Sequence, residues 1–275
     1  SYDYIDYAYS SYGRDYTADE AADMRGYVKE YIGQYVVKLF DDLGADGYLL
    51  YITASTQEDL TVSPVVTDFL SSVSSAEAVM NADHSMRDYL TDAYSYMRKY
   101  DLYYRSENPN GSTGAFTTYL QKYDMPYLFQ YVTGAMTDVT TFVHEFGHFS
   151  AYWLSGADTS VSLDVNEVQS QALEMMFMNR YQDLFGNYAI YDKSTDQYVS
   201  GSALSDIMVK GDLFTKLLYS VVMGCVMDEL QYDVYTYGEQ YESGADVTER
   251  FSELLNEYGL SDKFISEYSE VLGYN

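Results

Sequence analysis

Residues 144–148 read His-Glu-Phe-Gly-His. Two histidines four positions apart on a helix are separated by about 40° around its axis, so both imidazoles can reach one metal ion. Zinc suits two neutral ring nitrogens and a carboxylate at about 2.0–2.2 Å each. Glu145 then stands beside the first imidazole, on the side where a bound water would sit. There it can take the water's proton as a general base. The chain holds three histidines, and two of them fall inside this motif. The competing account, two unrelated histidines on a helix, needs a chance match on the order of one in several hundred at this composition.

Such a site needs a third ligand. Glu167 and Glu174 follow in the segment Asn-Glu-Val-Gln-Ser-Gln-Ala-Leu-Glu, 166–174. Seven residues apart, they share one helix face with Ser170 and Gln171 between them. Either glutamate could ligate, while Ser170 or the other glutamate supports the site by hydrogen bonding. Asp164 is a weaker ligand candidate near the helix start, where it could instead cap the helix. Without the histidine pair, each carboxylate would read as a solvated or buried helix residue.

Several elements must position these groups. Thr17 and Glu20 form a capping box, and Met24, Val28, Tyr31, Ile32, Tyr35, Val36 and Leu39 then recur at helical spacing, with Gly44 as the stop. Residues 1–16 show no helical stripe and are expected to be loosely held. Residues 47–53 could be strand or buried helix. A long helix is expected over 76–100, with Val79, Met80, Met86, Leu90, Tyr94 and Met97 inward. His84, the third histidine, reads as a surface or interhelical residue there. Two strands are expected near 115–120 and 126–132, the second with Pro126 at a first-residue or edge position. Helices follow near 137–155, 164–183, 203–237, 245–257 and 261–271, with 186–201 as a polar connection. In the helix bearing the motif, Val139, Phe142, Val143, Phe146, Trp153 and Leu154 form the apolar side. Gly147 costs that helix roughly 1 kcal/mol relative to alanine, a cost that the close approach of another element would explain.

The fold class expected is mainly α with a small β-sheet, as one domain over 17–275. Its 275 residues are 47% apolar, enough for a sizeable core. A formal net charge of −28 argues against nucleic acid and anionic membrane surfaces, and no run of about 18 apolar residues suggests a membrane-spanning helix. That charge could steer basic peptides toward the protein, or serve solubility alone. The single cysteine, Cys225, lies in an apolar run and reads as an inert core residue. One cysteine suits a cytoplasmic protein and equally an exported one, and a chain starting at Ser1 is compatible with a removed export signal.

The segment Thr-Gly-Ala-Met-Thr-Asp-Val-Thr-Thr-Phe-Val-His-Glu-Phe-Gly-His (133–148), followed by Glu-Val-Gln-Ser-Gln-Ala-Leu-Glu (167–174), resembles the thimet oligopeptidase and oligoendopeptidase F family of zinc metallopeptidases. Members carry a His-Glu-x-Gly-His helix and a later Glu-x-x-Ser-Gln-x-x-Glu helix. The resemblance implies a zincin-like metallopeptidase catalytic domain of the Glu-zincin kind, built on an active-site helix plus a glutamate helix. It implies one zinc ion held by His144, His148 and Glu167, with Glu145 as base and peptides as substrates. Gly114-Ala115-Phe116 and Met125-Pro126-Tyr127-Leu128-Phe129 look like the family's segment leading into an edge strand beside the cleft, where an extended peptide could pair by its main chain. The likeness is closest over 101–175 and extends over 203–275 through Asp228-Glu229-Leu230 and Val247 to Leu260.

The sequence departs from the family pattern in two places. Ala151 stands where many members have a further, non-ligand histidine. No histidine follows His148, and the chain stops at Gly-Tyr-Asn, about where the family's oxyanion-stabilising histidine and tyrosine segment would begin. Loss of one such donor can cost about 10²–10³ in rate. Tyr232, Tyr235 and Tyr237 are the local substitutes, although each fits amphipathic helix packing better. The reading is therefore a zinc endopeptidase cutting internal bonds of short peptides, in a chain that looks like a catalytic-domain fragment or a member with part of its sequence removed. The alternatives are a non-catalytic, zinc-containing peptide-binding or structural fragment and, more weakly, an aminopeptidase of related type.

Overall fold

The computed structural model describes residues 4–56, 87–133, 137–156, 163–179, 181–182, 189–192 and 195–273. It is mainly helical with two small sheets. The chain groups into two compact units, one formed by residues 1–51 with 210–275 and the other by 52–209. The expected helical residues 76–86, with His84, Val79, Met80 and Met86, lie outside the described residues.

In the first unit, α1 (Tyr4–Ser11) is a helix where the sequence shows no stripe. Its two buried anchors, Ile5 and Tyr9, are only one turn apart, too short a pattern to stand out; they pack with Ala21. The capping box at Thr17 and Glu20 opens α2 (Ala18–Tyr27), each residue satisfying the other's backbone N–H. A π-helical turn (Val28–Ile32) then leads into α3 (Gly33–Leu43). That turn explains a difference from the expected stripe. Met24, Tyr31 and Tyr35 are exposed, while Ala21, Arg25, Val28, Gly33, Val36, Leu39 and Phe40 are buried. The buried face takes one step of five, Val28 to Gly33, where regular spacing allows three or four. Gly33 meets the Tyr258 backbone so closely that a Cβ there would overlap the carbonyl oxygen. Gly44 ends α3 at φ 72°, its N–H bonded to Phe40 O.

Residues 47–53 resolve as helix, within α4 (Ala45–Thr56). The remaining helices of this unit are α9 (Met223–Thr236), α10 (Gly244–Glu257) and α11 (Asp262–Val271). A second π turn (Lys216–Val222) joins α9 to α8 (Gly201–Thr215). Cys225 is buried in α9, and burial pushes its thiol pKa up, as suits an inert core residue. Arg25, 5% exposed, pairs with Asp228 and reaches Glu229 at 3.7 Å. Lys29 holds Glu229 and Glu257 at 2.8 and 2.7 Å, and Arg250 holds Asp233 and Glu257, both at 2.7 Å. Tyr9 and Tyr258 donate their hydroxyls to Asp228 and Glu229. The network binds α2, the π turn, α9 and α10 through charges that burial alone would disfavour.

The second unit contains α5 (Arg87–Lys99), whose Leu90, Tyr94 and Met97 are buried as expected. Its sheet has the order β1 (Tyr103–Ser106), β3 (Met125–Tyr131), β2 (Ala115–Leu120). β1 runs parallel to β3, and β2 antiparallel to it. Sequence reading missed β1, whose four residues are too few to show alternation. β3 is the central strand, so of the two places expected for Pro126, first residue or edge, it takes one next to the first, as the second residue of the strand. The reason lies in the register. Even-numbered residues of β3 turn their N–H toward β1, as in Leu128 N to Leu102 O and Val132 N to Ser106 O. β1 pairing begins only opposite Leu128, so position 126 needs no donor there. On the face packed against the next helix, Gln130 is fully buried. It donates to Asp138 O at 2.7 Å and accepts from the Tyr103 hydroxyl at 3.2 Å.

That helix, α6 (Thr137–Ser155), spans the residues expected. Val139, Phe142, Val143, Phe146 and Phe149 are buried, but Leu154 is 70% exposed because the last turn runs past the core. α7 (Leu163–Met178) packs along α6 through Ser170, Leu173, Glu174 and Phe177. Residues 189–192 and 197–200, expected as plain connection, form a hairpin, β4 and β5. Only Ile190 of its residues is buried, so no apolar alternation marked it.

A Cβ on Gly147 would lie 2.5 Å from Ser170 Cα, which accounts for a glycine inside α6. Gly147→Ala is expected to destabilise by about 1–3 kcal/mol in urea unfolding. Gly224→Ala is the control. With nothing within 4 Å of the added atom, it should stabilise by about 0.5–1 kcal/mol. Arg25→Met should cost about 3 kcal/mol in the same measurement, since Asp228 loses its buried cation while Glu229 keeps Lys29.

Candidate metal centre

The contact of Gly147 with Ser170 sets the distance between two helix faces. One carries His144 and His148, one turn apart on α6; the other carries Glu167 and Glu174 on α7. At the glycine the backbones approach more closely than any side chain would allow. The flanking histidines therefore reach α7 directly.

Three donor groups converge. His144 Nε2 and His148 Nε2 are 3.2 Å apart. His144 Nε2 lies 3.3 Å from Glu167 Oε2, and His148 Nε2 lies 3.5 Å from Glu167 Oε1. A tetrahedral ion with bonds of about 2.0–2.1 Å separates its donors by about 3.3–3.4 Å. The spacing of the two nitrogens, and of each nitrogen from one of the two Glu167 oxygens, is of that size, and the donor set, two imidazoles and a carboxylate, suits zinc. Among the described residues these three form the one group of histidine, cysteine, aspartate or glutamate side chains arranged to hold a metal ion.

Of the two glutamates left open by spacing, Glu167 joins the donor group and Glu174 takes the place behind it. Glu174, 6% exposed, accepts from His144 Nδ1 at 2.6 Å. That bond fixes the tautomer that presents an unprotonated Nε2 to a metal. Without a metal it also favours the imidazolium, so the His144 pKa is raised, with the Glu174 hydrogen bond as the largest cause. His148 is lowered, chiefly by burial. The fully buried Ser170 donates to Glu167 Oε2 at 3.1 Å and Glu167 O at 3.0 Å. Gln169 and Ser150 tie the helices again beside it, at 3.0 Å.

Asp164 lies apart from the group, exposed in the first turn of α7, where a negative charge complements the helix dipole. Tyr232 and Tyr235 belong to α9 in the first unit. Tyr232 packs against the α1–α2 cluster with Arg25 over its ring, and Tyr235 is exposed. Tyr237 caps the C-terminus of α9.

Glu145 is buried. Sequence reasoning missed its partner, Thr117 of β2. The Thr117 hydroxyl lies 2.8 Å from Glu145 O and 2.9 Å from Glu145 Oε2. The pair is 28 residues apart and joins a strand to a helix, so no spacing rule could have found it.

Comparison with known proteins gives the fold and the family. The chain superposes on a protein from Bacillus anthracis str. Ames assigned as an oligoendopeptidase F, with a TM-score of 0.64 and 16% identity. The match covers 100% of this chain and 47% of that one. It superposes on PZ peptidase A, solved with an inhibitor, with a TM-score of 0.61 and 16% identity over 98% and 46% of the two chains. A further structure assigned as oligoendopeptidase F gives 0.59 and 17% over 98% and 47%. The chain thus spans about half the length of these proteins and shares their zincin-like fold. No curated protein matches it. Among the described residues no helix is long and apolar enough to cross a membrane. The family model for peptidase family M3 matches residues 49–271, and the chain belongs to that family.

Proposed function

We propose that this chain carries the catalytic centre of a zinc-dependent endopeptidase acting on internal bonds of short peptides. One observation carries the reading: in a member of peptidase family M3, two imidazole nitrogens and the two oxygens of one glutamate carboxylate converge at separations of 3.2–3.5 Å, about the edge of a tetrahedral shell. His144, His148 and Glu167 would hold the ion. Zinc bound there supplies a Lewis acid that makes water acidic and polarises a peptide carbonyl.

The protein's own groups do the rest. Glu174 keeps the His144 ring in one orientation and tautomer. Ser170 keeps the Glu167 carboxylate turned toward the histidines. Glu145 takes the proton from the attacking water and returns it to the departing amine nitrogen, so its carboxylate ends as it began. Among the described residues β2 lies at the edge of its sheet, which supports alignment of an extended peptide by main-chain hydrogen bonds.

Metal analysis should find one zinc per chain, and the chain should cleave an internally quenched fluorogenic peptide. Glu145→Gln should keep the zinc and lower kcat by about 10²–10⁴. A chain without zinc, or an undiminished rate in Glu145→Gln, overturns the mechanism. Peptide binding with full zinc and no turnover would favour a non-catalytic binding module instead. Glu174→Gln should weaken zinc affinity by about 10–100-fold in a competition titration with a chelator, because the ring loses its charged acceptor.

A further inference from the structure

We propose that Thr117 is a positioning residue that sets the orientation of the Glu145 carboxylate while its own backbone faces the peptide-binding edge of β2. The inference rests on the reading of Glu145 as the base and deepens it.

The first observation is the pair of short contacts from one hydroxyl to both ends of the same glutamate, 2.8 Å to its carbonyl oxygen and 2.9 Å to Oε2. Linking a side chain to its own backbone through a third group constrains every torsion between them. A glutamate has three such torsions, and left free it would spread its carboxylate over several orientations. Threonine suits the task because its β-branch restricts χ1. Thr117 is also held in the ladder opposite Leu128, which is fully buried. With Oε2 engaged, Oε1 is the oxygen left to meet water.

The second observation comes from the strand register. Tyr131 N bonds to Gly114 O, and partners in the β2–β3 ladder alternate between bonded and non-bonded pairs. The groups of 114, 116, 118 and 120 therefore point toward β3. The N–H and C=O of 115, 117 and 119 point to the open side of β2, the outer strand of its sheet among the described residues. Thr117 thus offers main-chain groups to a peptide laid along that edge and its hydroxyl to the base. One residue relates the line of the peptide to the direction of the carboxylate.

These two roles separate by substitution, because Thr117→Val removes the hydroxyl and keeps the strand backbone. In the zinc-loaded chain, Thr117→Val should lower kcat by about 10–100-fold with KM within about twofold and zinc stoichiometry unchanged. Thr117→Ser should recover most of the rate. A second readout needs no turnover: the affinity of a hydroxamate, a zinc-binding group that also meets the base. Thr117→Val should weaken it about five- to tenfold beside Glu145, and less than twofold in the Glu145→Gln background.

Undiminished kcat, a rise in KM alone, equal losses in the valine and serine variants, or a hydroxamate effect that persists without Glu145 would each overturn the proposal. If the parent chain holds zinc but cuts no peptide, the peptidase reading fails, and the hydroxamate cycle still decides for or against Thr117. A chain that takes up no zinc overturns both.

Discussion

The contact of Gly147 with the backbone of Ser170 is the constraint on which the candidate centre depends. Helix axes usually sit 8–10 Å apart because side chains stand between them. Here one side chain is missing at the crossing, and the backbone of α7 occupies its place. The flanking histidines can then share a point in space with a short carboxylate side chain. The same crossing buries Ser170 and Glu174, so the groups that orient Glu167 and His144 are shielded from competing water. The donors gather between two rigid elements, which limits how far they can spread.

The sheet adds the second half of the arrangement. It packs on α6 by Leu128 and Gln130, and Gln130 ties the sheet to the first turn of that helix. β2 is thereby brought alongside Glu145, and a strand residue far away in sequence becomes the partner of the glutamate. The candidate metal ligands, Glu145 and, among the described residues, an outer strand edge are thus assembled on three consecutive elements and the helix that follows.

Much of this was legible in the sequence, for identifiable reasons. His144, His148, Glu167 and Glu174 lie on two helices, and helical spacing states which residues share a face. Choosing between the two glutamates needed the family resemblance or the coordinates, because a shift of two turns leaves periodicity unchanged. Gly147 announced a close approach through its low helix propensity. Thr117 was invisible because the relation between strand and helix is tertiary. The capping box at Thr17 and the stop at Gly44 were local and therefore readable. The stripe of α2 and α3 was misjudged at Met24, Tyr31 and Tyr35, and no spacing rule pointed to the buried Arg25. Its burial depends on acidic partners some 200 residues later, Asp228 and Glu229.

The π turn at Val28–Ile32 places opposing demands on the helix that contains it. With one residue fewer, the segment could hydrogen-bond as an unbroken α-helix, a better bonded and narrower structure. Every residue beyond the deletion would then swing by about 100° around the axis. Val36 and Phe40 would leave the interior, and Gly33 would lose the carbonyl it rests against. Backbone regularity favours the shorter segment, and interior packing favours the longer one. The wide turn is where that conflict is settled, so tolerance of length changes should be asymmetric: slight here, and greater in the exposed turns between strands.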